Sequence, residues 1–366
     1  MRLLICAGGT GGGVYPALAV LQAVADRVEN TLWVGGKGGM EAGLVARYQL
    51  PYAEISAAGL HGVGLRSLPG NLVKLLRGYI ESRRVLREFK PDVLLFTGGY
   101  VAVPMALAGV KINSLLYVPD IEPGLALKAL SRFANVIALT SPASRQYFRP
   151  GKRAVVTGYP TRSDLQTLPR DAALAAFNLS QDLPVLLVIG GSKGAHSLNQ
   201  AIFDNLNVLL ERVQVLHVTG QLDWQTAVEL KAGLPTAIAD QYQAYAYLHD
   251  EISIAFSAAT IVLSRAGAST LGELPLYGLP AILVPYPYAW RYQKVNADHL
   301  VKHAAAVILE NAELNTKLVA TLNGLLADAP KLAAMRANMR ALAAPAAATA
   351  IADLLVELGS RKEGLK

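Results

Sequence analysis

Leu3-Leu4-Ile5-Cys6-Ala7-Gly8-Gly9-Thr10-Gly11-Gly12-Gly13 runs five apolar residues straight into a glycine cluster, and Pro16 follows. A strand apolar at every position is buried on both faces, as in a parallel sheet covered by helices. Glycines let backbone amides come close to a ligand, and proline suits the first position of a helix. The stretch therefore predicts a strand, a loop able to meet an anion, and a helix opened by Pro16 whose positive end adds to the attraction. Five apolar residues are too few for the h-region of a signal peptide, about 7–15 residues.

Outward from this stretch the pattern repeats. Short apolar runs at Leu3–Ala7, Thr31–Val34, Val93–Phe96, Ser114–Val118, Val136–Leu139 and Ala154–Thr157 alternate with helical stretches. It restarts after Pro160 with Pro184–Ile189, Val213–Val218, Ile261–Leu263, Ala281–Val284 and Ala306–Leu309. The expectation is an α/β chain of two Rossmann-like domains facing a cleft, their glycine-lined strand ends confronting each other across it. Residues 1–160 form the first domain and 161–340 the second, with Gly158-Tyr159-Pro160-Thr161 as a hinge. Residues 341–366 form a C-terminal helix and tail packing back on the first domain. Pro345 marks a break between helices, and the segment from Gly359 to Lys366 reads as a loose polar tail.

Composition sets limits. The 366 residues are 52% hydrophobic and 17% charged, enough for substantial cores and against disorder. Mean hydropathy is +0.32, yet no uninterrupted apolar run of about 20 residues predicts a membrane span. One cysteine, Cys6, excludes an intramolecular disulfide and fits a cytoplasmic location. The net charge of +7 favours anionic partners. Lys and Arg concentrate between Arg66 and Lys90, interleaved with Leu65, Leu68, Leu72, Leu75, Leu76 and Ile80. That pattern is either a membrane-surface helix or a helix with a solvated basic face. Few aromatics are interleaved there, which speaks against nucleic acid.

Several motifs point to phosphate chemistry. A dinucleotide fingerprint can be forced onto Gly8–Gly13, but Asp26 and Glu29 precede the second strand, where an acidic residue should follow it; hydride transfer is disfavoured. Gly190-Gly191-Ser192-Lys193-Gly194-Ala195 offers amides and a hydroxyl to a phosphate without Walker spacing. Arg162 follows the hinge and suits a diphosphate, or an ordinary salt bridge. Ser264-Arg265-Ala266-Gly267-Ala268-Ser269-Thr270-Leu271-Gly272-Glu273 leaves a strand and enters a helix, where Glu273 could accept from ribose hydroxyls or simply sit exposed in a first turn.

GGTGGG with Pro16, TGGYV at Thr97–Val101, GYPTR at Gly158–Arg162, GGSKGA at Gly190–Ala195, SRAGASTLGE at Ser264–Glu273 and YQKVNA at Tyr292–Ala297 together resemble the MurG family, in order over nearly the whole chain. The resemblance implies a GT-B fold and inverting, metal-independent transfer of N-acetylglucosamine from UDP-GlcNAc to lipid I, with no cofactor. On the donor side it implies Arg162, Gly191 and Ser192 at the diphosphate, Ala268, Ser269 and Glu273 at the nucleoside, the His249 backbone at uracil, and Tyr292 and Gln293 at the sugar, with Asn296 near. On the acceptor side it implies Gly8, Gly9, Thr10, Gly11, Gly12, Gly13, Thr97, Gly98, Gly99 and Tyr100. It also implies docking of the basic stretch on an anionic inner-leaflet membrane surface, hence a peripheral location on the cytoplasmic face.

Two positions depart from the family. Gly13 stands where a histidine is usual, and Tyr117-Val118-Pro119-Asp120 stands for the habitual HEQN. Inverting transfer needs a base, whose loss costs about 10²–10⁴-fold. Asp120 and Glu122, beyond a strand end, are the expected replacements, Glu122 for its longer reach, while Asp120 could equally cap the next helix. His61 is a further loop candidate; His196, His217, His299 and His303 show no chemical partner in the sequence. A transferase with another lipid-linked acceptor, a catalytically silent UDP-sugar binder and a GT-B sugar-nucleotide epimerase remain as alternatives.

Overall fold

Leu3, Leu4, Ile5, Cys6 and Ala7 are fully buried, the state expected of a strand sandwiched between helices. The computed structural model describes residues 1–8, 11–39, 41–59, 68–191, 194–287 and 292–361. The chain divides into two compact units, one comprising Met1–Arg162 with the chain from Ala344 onward, the other Ser163–Ala343.

The first unit holds β1 (Arg2–Ala7), β2 (Asn30–Gly36), β3 (Tyr52–Ile55), β4 (Val93–Gly98), β5 (Asn113–Val118), β6 (Val136–Leu139) and β7 (Ala154–Val156). They form one parallel sheet in the order β3-β2-β1-β4-β5-β6-β7. The second unit holds β8 (Val185–Ile189), β9 (Gln214–Val218), β10 (Tyr242–Tyr245), β11 (Ile261–Ser264), β12 (Ala281–Leu283) and β13 (Ala306–Ile308). Their order is β10-β9-β8-β11-β12-β13, again parallel. In each sheet the strand order reverses beside the first strand, between β1 and β4 and between β8 and β11. Open α/β sheets bind ligands at such points, beyond the carboxyl ends of the strands.

Two strands escaped the sequence pattern, β3 and β10, each at a sheet edge. Edge strands are covered on fewer sides, so Tyr52-Ala53-Glu54-Ile55 and Tyr242-Gln243-Ala244-Tyr245 carry polar residues and lack a continuous apolar run. The first helix also differs from expectation. It begins at Gly11, five residues before Pro16, and runs to Val24. Proline deprives the Gly12 carbonyl of its usual donor, while the Thr97 hydroxyl donates to the neighbouring Gly13 carbonyl at 2.7 Å.

Helices Ala329–Ala341 and Ala347–Ser360 break around Pro345. The last helix continues through Gly359 and Ser360, which the sequence placed in a loose tail. It lies against the first helix and β5 and buries Ile351, Ala352, Leu355 and Leu358. The larger of these contribute about 1.5–3 kcal/mol each. Exposed pairs on the same helix, Arg27–Asp353 at 2.5 Å and Arg153–Glu357 at 2.7 Å, add at most about 1 kcal/mol each. The segment expected to be a hinge is packed: Gly158, Tyr159 and Pro160 are buried. Gly158 has φ 89° with its Cα against Ala344, and Tyr159 meets Tyr117 edge-on at 6.3 Å.

The core of the second unit carries a polar insert. His217 on β9 is fully buried. Its Nδ1 lies 3.0 Å from the Tyr242 hydroxyl and its Nε2 lies 2.9 Å from Asn199 Oδ1. Asn199 spends its amide on the Thr219 carbonyl and Asp223 Oδ2, both at 2.7 Å. Asn199 Oδ1 is thus an acceptor, so His217 donates from Nε2 and accepts from Tyr242 at Nδ1, in a neutral ring. Burial lowers its pKa to about 3, opposed only in part by Asp223. The unfolded chain takes up this proton near pH 6.5 and the folded one does not, so stability is complete above that pH and is lost as pH falls toward 3. Between pH 7 and 5 His217 should cost about 2 kcal/mol. Urea unfolding at both pH values should show this loss, reduced in His217→Gln; an equal pH dependence in the variant would refute the assignment.

Candidate active site

In the first unit the loops after β1 and β4 touch through their backbones. Ala7 pairs with Gly98 after a register shift, and Gly98 and Gly99 have φ 140° and 85°. A Cβ on Gly99 would fall 2.5 Å from the Gly8 carbonyl oxygen, so this approach admits glycine alone. Behind Gly8 lies Glu41, only 2% exposed. Its carboxylate accepts from the Gly36 amide at 2.7 Å and occupies the space that a Cβ on Gly8 or Gly39 would need. Burial first, then the Glu41 charge, push the Cys6 thiol far above its ordinary range, so Cys6 is an inert core residue.

The other residues expected on the acceptor side have separate structural tasks. Thr97 is buried and bonded to the first helix. Tyr100 is 49% exposed, with its ring against Gly59. Gly11, Gly12 and Gly13 form the start of the first helix. At Gly13 a Cβ would make ordinary contact with Thr97, 3.4 Å from its carbonyl oxygen, so the backbone does not demand glycine there. Arg162 closes the unit with its guanidinium 5.4 Å from the centroid of Tyr15, a residue of the first helix. Gly9, Thr10 and His61 lie outside the described residues.

Beyond β5, Asp120 is half-buried and Glu122 is 5% exposed. Glu122 Oε1 lies 3.2 Å from Lys128 Nζ. The longer side chain, expected to reach furthest, is held inside by this pair.

In the second unit the Gly190 loop lies at the other reversal of strand order. Gly191 and Gly194 have φ 95° and 77°, and the Gly194 Cα packs on the Thr219 carbonyl, the group that Asn199 holds. The His217 network thus braces this loop from below. His196, without a visible partner in the sequence, reaches Asp223 at 2.9 Å in the same network. Ser192 and Lys193 lie outside the described residues.

Beside it, β11 leads through Arg265 and Gly267 into a 3-10 turn, Ala268–Leu271, and the short helix Glu273–Tyr277. No described residue stands within 4 Å of a Cβ position on Gly267. Ala268 is buried, Ser269 and Glu273 half-buried. Asn296 is fully buried and donates to the Ala266 carbonyl at 3.1 Å, pinning the loop. Gln293 Oε1 accepts from the Tyr286 amide at 2.8 Å, and Tyr292 opens the same helix. The exposed His249 donates its amide to Glu251 Oε2 at 3.1 Å, and its ring lies 4.6 Å from that of Tyr247.

Arg265 is the residue whose importance the sequence motif concealed. It is 8% exposed. Its guanidinium donates to the Val284 carbonyl at 3.0 Å, Asn311 Oδ1 at 2.9 Å and Ser197 Oγ at 2.6 Å, and lies 5.3 Å from the Tyr286 ring centroid. All these partners are uncharged, and among the described residues Arg265 has no carboxylate partner. A desolvated positive charge held this way is available to an anion.

Comparison with known proteins places the chain. The glycosyltransferase family 28 N-terminal domain matches residues 3–139 and the family's C-terminal domain residues 185–353. The UDP-N-acetylglucosamine--N-acetylmuramyl-(pentapeptide) pyrophosphoryl-undecaprenol N-acetylglucosamine transferase of Roseiflexus sp. (strain RS-1) is 38% identical, over 99% of this chain and 96% of that one. The protein of the same name from Bacillus subtilis (strain 168) is 34% identical over 98% and 99%. The crystal structure of Acinetobacter baumannii MurG superposes with a TM-score of 0.79 at 28% identity, covering 97% and 99%.

The chain belongs to the MurG family. Its fold is the GT-B fold of that family, built from two parallel-sheet units. Within this MurG-family chain sequence reasoning overlooked Glu41, although Gly35-Gly36-Lys37-Gly38-Gly39-Met40-Glu41 is a second glycine-rich stretch after a strand. The available signal was the glycine-rich stretch itself, since glycines clustered after a strand mark a close approach to the backbone.

Gly99→Ala tests the backbone contact. It places a side chain at positive φ and into the Gly8 carbonyl, and should lower stability by about 1–3 kcal/mol. Gly13→Ala should change it by less than about 1 kcal/mol. Equal unfolding midpoints for the two variants in urea would contradict the geometry.

Proposed function

We propose that this chain transfers N-acetylglucosamine from UDP-GlcNAc to lipid I, forming lipid II for peptidoglycan synthesis, with inversion at the anomeric carbon and no need of a bound metal ion. The observation that carries the reading is the likeness, over nearly the full length, to transferases whose names specify both donor and acceptor. Supporting it is a buried charge in the second unit: Arg265, just beyond β11 and next to the strand that leads into the Gly190 loop, lacks a carboxylate partner among the described residues. Preorganised charge of this kind stabilises a leaving diphosphate. Glu273, Ser269 and Gln293 then hold the nucleoside and sugar, and the Gly8 and Gly99 loops hold the acceptor diphosphate.

Asp120 serves as the base in this scheme. It is the more accessible of the two expected carboxylates, since Glu122 is enclosed and paired with Lys128. Incubation with UDP-GlcNAc and lipid I, reading disaccharide product and anomeric configuration, tests the reaction. Asp120→Asn should lower kcat by about 10²–10⁴-fold and leave the KM for UDP-GlcNAc within about twofold; unchanged turnover would remove Asp120 from the role. Because the departures at Gly13 and Asp120 fall on the acceptor side, another lipid-linked acceptor is the second reading, supported if UDP-GlcNAc is consumed only with such an acceptor.

The membrane surface is the place of action on this reading. In helix Leu68–Phe89, Leu72, Val73, Leu76 and Ile80 are 51–63% exposed. At about 100° per residue they fall within one arc of about 100°, which Arg83 and Arg87 share. Gly78, Ser82 and Leu86 face the opposite way and are buried. Among the described residues no helix is long and apolar enough to cross a membrane, so attachment rests on this face and on about 1 kcal/mol for each basic residue near anionic lipid. Replacing Leu72, Leu76 and Ile80 together by Gln should lower sedimentation with phosphatidylglycerol vesicles at least about tenfold while the unfolding midpoint stays unchanged; undiminished sedimentation would discard this surface.

A further inference from the structure

Lys128, Ser131, Arg132, Tyr147, Arg149 and Lys152 line a recess of about 140 Å³ in the first unit. They come from the helix Leu125–Leu130 and the turn after it, the 3-10 segment Pro142–Tyr147, and the turn before β7. Lys128 is divided between Glu122 and the face of Tyr147, 5.2 Å from the ring centroid. Lys152 Nζ donates to the carbonyls of Arg132 and Ala134 at 3.0 and 3.1 Å. Arg132 and Arg149 form no ion pair with any described residue. Four cationic side chains around one small recess therefore share a single carboxylate; Arg132 and Arg149 are exposed, and together the four make a local positive field that attracts an anion.

We propose that this recess binds a phosphate group, carried either by a phospholipid headgroup or by free phosphate. Two guanidinium groups present paired donors that match phosphate oxygens, and the ammonium groups add point charges. Ser131 and Tyr147 also line the recess, the Ser131 hydroxyl donating to the Lys128 carbonyl at 2.7 Å. The recess is distinct from the loops at the strand-order reversals and does not depend on the transferase reading.

The test uses the full chain, titrated with inorganic phosphate at constant ionic strength and followed by phosphorus NMR line broadening. The wild type should bind saturably, and Arg132→Gln with Arg149→Gln should raise Kd at least about tenfold. Arg83→Gln with Arg87→Gln, on the basic helix, should leave Kd unchanged. Lys128 is left intact because removing it would strand the buried Glu122. Unfolding midpoints check that the double variant folds, and each single variant, expected to raise Kd about threefold, serves if it does not. Sedimentation with phosphatidylcholine vesicles, with and without phosphatidic acid, separates the sources. A drop on phosphatidic acid for the Arg132/Arg149 variant marks a lipid headgroup; loss of phosphate binding with unchanged sedimentation marks free phosphate. A response that does not saturate, or equal Kd in wild type and variants, overturns the proposal.

Discussion

The Gly8 carbonyl oxygen and the Gly99 Cα occupy a space with no room for a side chain between them, and the first unit is arranged around that contact. Two parallel strands, β1 and β4, end side by side where the strand order reverses, so their loops must either diverge or touch. Here they touch, and glycine is the residue that permits it. The second unit meets the same constraint with Gly194 against the Thr219 carbonyl. In both, a buried polar side chain braces the loop from behind: Glu41 in the first, Asn199 in the second. Loops held this way present their amides in a fixed geometry, which is what a preorganised anion site requires.

Charge is distributed unevenly over this scaffold. Arg265 is enclosed among uncharged partners, the cations near Lys152 outnumber the carboxylates beside them, and the helix Leu68–Phe89 carries Arg83, Arg87 and an apolar ridge outward. Where carboxylates do occur inside, they are engaged, Glu122 by Lys128 and Glu41 by the Gly36 amide. On the proposed reading, with diphosphate-bearing ligands and an anionic lipid surface, such an imbalance favours binding. The buried Arg265 costs stability in the isolated fold, a cost offset when an anion binds.

Asp120 and Glu122 show that side-chain length alone does not set accessibility. Reach argues for Glu122, but reach matters only when the side chain points outward, and Lys128 draws it in. Pro16 shows a similar limit. Its preference for a helix start is real, yet the helix begins at Gly11, with the Thr97 hydroxyl donating to the Gly13 carbonyl within it. His217 looked solitary because its partners, Asn199 and Tyr242, stand 18 and 25 residues away and meet it only across the fold.

The sequence by itself determined the alternation of strands and helices, the doubling of the α/β unit, the glycine loops at strand ends and the family. Each of these is written in local patterns: runs of buried apolar residues, and glycines wherever backbone must come close. Central strands were legible because burial on both faces leaves no choice of residue; β3 and β10 were not, because an edge relaxes that demand. Only the tertiary structure decided that Glu41 stands behind Gly8, that Arg265 lacks a carboxylate partner among the described residues, that Glu122 is enclosed, and that Arg132, Arg149 and Lys152 converge. These are relations between residues far apart in the chain, and no local pattern encodes which charge will be left without a partner once the segments pack.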